Sequence, residues 1–181
     1  CAAAGLPPGS GIILPPNTFT ATAEGIVLAG HVPVFVDVEP TTWTLDPKGV
    51  RQAAEQWRTP QGVVDPKTGA RVAAIMAVDL YGQPADYSEL EGIAADNDWI
   101  VLEDACQAHN AALNGKPAGS FGLAAAFSFY PGKNLGAFGE AGAVTTDSDE
   151  IAGRVRALRD HGSSSKYYYE MIGHNYRMSA F

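Results

Sequence analysis

The chain has 181 residues, 46% hydrophobic and 18% charged, which suits one domain with a substantial core and excludes a disordered chain. A formal net charge of -8 excludes the broad basic surface of a nucleic-acid binder, so an anionic ligand needs a local site. The two cysteines, Cys1 and Cys106, form neither a disulfide framework nor a metal-ligand spacing, and no apolar run approaches a membrane span or a signal peptide, which points to a cytoplasmic chain that touches no membrane.

In chain order, apolar runs bounded by turn residues recur at Ile12 to Leu14, Val32 to Val38, Val72 to Leu80, Trp99 to Leu102, Ala124 to Tyr130 and Ala143 to Thr145, and read as strands. Helical spacing occupies Thr20 to Ala29, Pro47 to Trp57, Tyr87 to Asn97 and Asp149 to Arg159. Near-continuous apolar strands alternating with helices predict an α/β domain whose largely parallel sheet is buried on both faces. Its ligands should gather at the carboxyl ends of the strands. The polar stretch Pro60 to Arg71 reads as a surface loop. Five of the twelve basic residues, Arg154, Arg156, Arg159, Lys166 and Arg177, give the last stretch a local positive bias, most of it expected to solvate a helix. The chain opens without an initiator Met and stops within a patterned segment, so a piece of a longer subunit is expected.

The stretch from Ala124 to Thr146 presents Lys133 on a loop between an apolar run and a glycine-studded turn. A lysine amine, protonated at its ordinary pKa of about 10.4, becomes a useful nucleophile when desolvated or used covalently as an imine. The alternative is a solvated lysine in a Pro-Gly turn. A P-loop is excluded, because its spacing needs glycine where Phe127 stands and Ser or Thr where Asn134 stands. Asp104 follows the run Trp99 to Leu102, so a buried strand delivers its carboxylate to the ligand edge while Glu103 points the other way. A pyridinium N–H is one partner that would stabilise such a carboxylate; capping the next helix is the alternative.

Gln107 can donate or accept at the same edge. Cys106 could lie against a planar ligand or be a small buried hydrophobe. Ser128, five positions before Lys133, suits a phosphate, and Phe19 could stack on a flat ring or sit in the core. His109 reads as structural, and Asn175 and Arg177 as polar donors or an exposed turn.

Taken together, PPNTFTATAE, FVDVEP, DLYGQPAD, LEDACQAH, FSFYPGKNLGAFGEAGAV and GHNYRMS resemble the DegT/DnrJ/EryC1/StrS sugar aminotransferases, a pyridoxal-phosphate family, over nearly the whole chain. The resemblance implies the large PLP-binding domain of the fold type I aminotransferases, a three-layer sandwich. Residues 1–181 would be that domain without its N-terminal segment and C-terminal small domain. Lys133 matches the Schiff-base lysine, which also shuttles a proton, and Asp104 matches the carboxylate that keeps the pyridine nitrogen protonated. Gln107 matches the contact to the ring 3-hydroxyl, Ser128 a phosphate ligand and Phe19 the stacking aromatic. Cys106 takes the position on the other ring face where family members usually have Ala. Asn175, with Arg177, matches the segment that reaches the neighbouring subunit's cofactor phosphate, hence a homodimer. Asp79 departs from the family's usual His.

The implied function is transfer of an amino group, from glutamate, to a nucleotide-diphosphate keto sugar through Lys133, with no metal. A PLP-dependent sugar dehydratase is the rival within the fold, and the family's dehydratases carry histidine at the lysine position. A non-catalytic cofactor-binding regulatory relative is the rival outside enzymes.

Overall fold

A computed structural model describes residues 1–180. Six strands form the central sheet: β1 (Gly11–Leu14), β2 (Val32–Phe35), β3 (Val72–Val78), β4 (Ile100–Asp104), β5 (Ala124–Ser128) and β6 (Gly142–Thr145). Their order is β6-β5-β4-β3-β1-β2, with every neighbouring pair parallel except β6 against β5. The chain moves outward from β1 to β2, then returns past β1 to β3. That reversal opens a crevice at the carboxyl ends of β1 and β3, where α/β sheets take their ligands.

Helices α1 (Ala21–Leu28), α2 (Pro47–Gln56), α3 (Tyr87–Ala95) and α4 (Asp149–Arg159) connect or follow the strands. The starts of the last three are set by side chains that accept otherwise unpaired backbone N–H groups: Asp46 from Lys48 before α2, Asp86 from Glu89 before α3, and Ser148 from Ile151 before α4. In α4, Asp149 and Glu150 in the first turn and Arg156 and Arg159 in the last also complement the helix dipole.

Alternation along the strands divides the core between two faces. Ile13, Ile75, Ala77 and Val101 pack with Val50 and Ala53 of α2 and Leu90 and Ile93 of α3. Ile12, Leu14, Ala74, Met76 and Leu102 pack on the other side with Ile26 of α1. Each fully buried Ile or Leu contributes about 1.5 to 3 kcal/mol, so the three layers rest on the β1-β3-β4 centre.

The predicted elements are all present, most with shifted ends. The run Val32 to Val38 is a strand only to Phe35, because its neighbour β1 ends at the matching residue, Leu14. Val72 to Leu80 stops at Val78 and turns into a 3-10 segment at Leu80–Gly82. Burial on both faces holds for the centre and fails at one edge, since all four residues of β6 are exposed. Pro60 to Arg71 is more ordered than a loop: a hairpin pairs Arg58–Thr59 with Gly62–Val63, and buried Asp65 accepts from Lys67 N, Thr68 N and the Thr68 hydroxyl. Among the described residues no helix is long and apolar enough to cross a membrane.

Candidate cofactor site at the carboxyl ends of the strands

Asp104 is the last residue of β4 and is half-buried. Its Oδ2 accepts from the Thr22 hydroxyl at 2.7 Å and its Oδ1 from Cys106 N at 3.1 Å. An ionised carboxylate only accepts, so the Thr22 proton points at Asp104 and Thr18, 2.8 Å from Thr22, supplies its own proton behind it. This relay fixes the carboxylate plane and leaves lone pairs free for a ligand cation. The helix-capping alternative for Asp104 fails, because turns rather than a helix follow it.

Gln107 is held by its oxygen, which accepts from Tyr81 N at 2.8 Å, so its amide N–H groups remain available as donors. The loop that holds it carries Tyr81 at φ 53, an unfavourable conformation for a residue with a side chain.

Lys133 sits in a turn closed by its own N–H bonding Tyr130 O at 2.9 Å, and its side chain is half-buried. Burial pushes the Cys106 thiol up to about 12, Asp104 pushes the same way, and Lys133 pulls it back down. Asp104, at the end of β4, and Lys133, in the turn after its parallel neighbour β5, therefore both bear on one thiol at the carboxyl end of the sheet.

Ser128 ends β5, and its Oγ accepts from Tyr130 N at 3.3 Å, which leaves the hydroxyl proton free. Phe19 is 66% exposed at the entrance to α1, which rules out the core alternative for it. His109 is structural: Nε2 lies 2.9 Å from Ser128 O, which can only accept, so this nitrogen carries the proton and ties the β4 and β5 ends together. Its ring lies between those of Phe127 and Phe129.

Asn175 is not with the others. It is exposed, bridges Asp160 beyond the end of α4, and lines a cavity of about 1660 Å³ between α4 and β6. Arg177 lines the same cavity and pairs with Asp160 at 3.5 Å. Phe19, Asp104, Gln107, Ser128 and Lys133 lie outside it.

Sequence reasoning missed Thr22 and the Tyr81 N–H, both of which position predicted ligands. Thr22 lies within the PPNTFTATAE motif, but only the fold shows that it reaches Asp104.

The donor set fits a flat, cationic heteroaromatic phosphate. A fixed carboxylate suits a ring N–H, a carboxamide a ring hydroxyl and a free serine proton a phosphate oxygen, while Lys133 offers an amine beside them. Phe19 and Cys106 offer apolar surfaces.

The whole chain, residues 1–181, matches the sequence profile of the DegT/DnrJ/EryC1/StrS aminotransferase family. It is 43% identical over 176 residues to a pleiotropic regulatory protein of Geobacillus stearothermophilus, covering 97% of this chain and 44% of that one. It is 39% identical over 171 residues to a UDP-N-acetyl-3-dehydro-alpha-D-glucosamine 3-aminotransferase of Acidithiobacillus ferrooxidans, covering 94% and 42%. Among solved structures, Streptomyces venezuelae DesV in complex with a ketimine intermediate superposes with a TM-score of 0.83 at 39% identity over 96% of this chain and 43% of that one. Bacillus subtilis NtdA with bound cofactor PMP gives 0.79 at 32% over 96% and 36%. The chain thus spans less than half the length of each.

Proposed function

Because this chain belongs to the DegT/DnrJ/EryC1/StrS aminotransferase family, we propose that its protein uses pyridoxal 5'-phosphate to move an amino group from glutamate to a nucleotide-linked keto sugar. Residues 1–181 are, on this reading, the cofactor-holding domain of a longer subunit. The observation that carries the proposal is the placement of Asp104 at the end of β4 and of Ser128 and Lys133 at and just after the end of its parallel neighbour β5, with the Asp104 carboxylate locked by Thr22 and Cys106 N.

Each residue then has a chemical task. Asp104 holds a proton on the ring nitrogen by charge and by a hydrogen bond. Gln107 orients the ring hydroxyl through its free amide N–H, and the Ser128 hydroxyl donates to the phosphate. Phe19 covers one ring face and excludes water there, while Cys106 lines the other. Lys133 Nζ would hold the cofactor and, as a free amine, would accept and return a proton at the reacting carbon. Pyridoxal 5'-phosphate, when bound, supplies the electron sink for the carbanion formed at that carbon. Asn175 and Arg177, which line the cavity between α4 and β6, act on the phosphate held by a second copy of the chain, which makes the working unit a homodimer.

The test is the full-length protein supplied with cofactor, glutamate and a panel of nucleotide-linked keto sugars. Amino-sugar formation is expected, and Lys133→Ala is expected to abolish it; normal product from that variant ends the proposal. Loss of water from a keto-deoxy sugar without amine transfer would instead identify a dehydratase. The Geobacillus relative's description as a regulatory protein gives the binding reading a specific footing. Borohydride trapping at Lys133 without turnover on any sugar would favour it.

A further inference from the structure

Asp79 follows β3 directly and is completely buried. Its Oδ1 accepts from Ala85 N at 3.1 Å and from the Tyr87 hydroxyl at 2.8 Å. Its Oδ2 is buried with no donor in reach. Glu103, 1% exposed, stands on the adjacent strand opposite Ala77, so Asp79, two residues on, shares its face of the sheet, and the two carboxyls lie close enough to act on each other. Glu103 has its own oxygens engaged, Oε1 by Gly119 N at 2.5 Å and Oε2 by Phe121 N at 2.9 Å. Both Glu103 oxygens therefore already serve as acceptors for backbone N–H groups.

The groups facing Asp79 are Glu103 from β4 and Tyr87 from the start of α3, with Asp104 close enough to act on Tyr87 as well. Among the described residues, the buried polar and charged ones include no lysine or arginine. Two adjacent buried carboxylates without a cation are very costly, and neither could donate to the other. One proton on Asp79 Oδ2 removes the cost and supplies the missing hydrogen bond to Glu103. Burial first, and the Glu103 carboxyl after it, raise Asp79 to about 8 against the opposing pull of Tyr87 and Ala85. Burial and the surrounding acids also hold Tyr87 well above its ordinary range, so its hydroxyl remains a donor.

Asp79 also begins the turn that holds Gln107. Its N–H bonds Asp104 O at 3.0 Å, its own O accepts from Gly82 N at 3.2 Å, and its Oδ1 fixes the far side of the loop at Ala85. Between these anchors Tyr81 is kept at φ 53 with its N–H on Gln107. Strain of this kind persists only where the surroundings over-determine it.

We propose that Asp79 is a neutral carboxylic acid donating its proton to Glu103, and that this buried acid pair is the positioning device which pins the Leu80–Gly82 turn and thereby orients Gln107. The acid pair rests on the burial of both carboxyls, the unpartnered Asp79 Oδ2, the strand register and the Tyr87–Phe121 stack that both adjoin; the role of Gln107 rests on the cofactor reading above.

The sign of the pH dependence follows. The folded protein keeps the Asp79 proton to about pH 8 while the unfolded chain releases it near 3.8, so the folded state binds more protons between these values. Stability from this group is greatest below about pH 4 and is lost as pH rises towards about 8.

The test uses full-length protein, with and without cofactor, and the variants Asp79→Asn, Asp79→Ala and Gln107→Ala. The infrared spectrum of the wild type at neutral pH should show a protonated-carboxyl band that Asp79→Asn lacks and that fades as pH passes about 8. Unfolding midpoints should fall with pH more steeply in the wild type than in Asp79→Asn, whose amide N–H replaces the acid proton. Cofactor affinity should fall about five- to tenfold in Asp79→Ala, the equivalent of one hydrogen bond. Asn at 79 should restore it, and the effect should vanish in a Gln107→Ala background. Coincident carboxyl spectra and pH slopes for wild type and Asp79→Asn would overturn the acid pair. An Asp79→Ala effect undiminished by Gln107→Ala would overturn the coupling. A protein that binds no pyridoxal phosphate would defeat the cofactor reading and with it the role of Gln107, while leaving the infrared and stability arms readable.

Discussion

The Thr22 hydroxyl donates to Asp104 Oδ2 at 2.7 Å, across 82 positions of sequence. Replacing it with the near-isosteric Val keeps the shape and removes the donor. Thr22→Val is expected to weaken cofactor binding roughly ten- to hundredfold, since a hydrogen bond to a charged group is worth about 1.5 to 3 kcal/mol. Absorbance titration of the full-length variant reads the change; unaltered affinity would remove Thr22 from the site.

Cys106 should be an unreactive thiol despite its place at the candidate site. Its value of about 12 against an ordinary 9.0, set by burial and then by Asp104, leaves almost no thiolate at pH 8. Alkylation at Cys106 is expected to run roughly a thousandfold slower than for an unperturbed thiol, as read by mass spectrometry of the labelled peptide. Because the folded value is raised, the folded state holds the thiol proton longer than the unfolded chain. Any stability tied to this group is therefore lost between about pH 9 and about 12.

How much of this was legible in the sequence depends on the distance over which the information acts. The boundaries of α4 coincide with the predicted ones because Ser148 and the charges in its first and last turns are local signals. The end of β2 was misread because the partner strand sets it, and no periodicity within Val32 to Val38 records that β1 stops at Leu14. The same division holds at the site. Lys133 and Asp104 could be singled out because each stands beside its own strand or turn, whereas the Thr22 and Tyr81 contacts join segments that meet only in the folded sheet. Asn175 was expected to serve a second subunit, and its position away from the other five is compatible with that proposal without testing it.

Tyr87 joins the core to the acid pair, stacked on Phe121 at 4.2 Å with its hydroxyl on Asp79. Tyr87→Phe keeps the ring and should destabilise the protein by about 1 to 2 kcal/mol, whereas Tyr87→Ala, which also opens a cavity, should cost about 3 to 5 kcal/mol. Guanidinium unfolding of the full-length variants measures both. Equal losses would mean that the stacked ring contributes nothing.

Gly136 closes the turn that carries Lys133, and a Cβ there would collide with the Pro131 carbonyl. Gly136→Ala should shift the amine and lower kcat/KM roughly ten- to hundredfold, as expected for a misplacement near 1 Å. The unfolding midpoint should hardly move, because this exposed loop adds little to the core. A large drop in midpoint with kcat/KM intact would place the role of Gly136 in stability instead.

The reversal of chain direction at β1 has a kinetic consequence. The crevice beside it is furnished by loops following β1, β3, β4 and β5, so it does not exist until those parallel strands have aligned, and long-range parallel pairing is slow to form. A small molecule bound there cannot guide the early steps of refolding. Its capture instead reports that the sheet is complete, and in a refolding time course it should trail the recovery of helical signal.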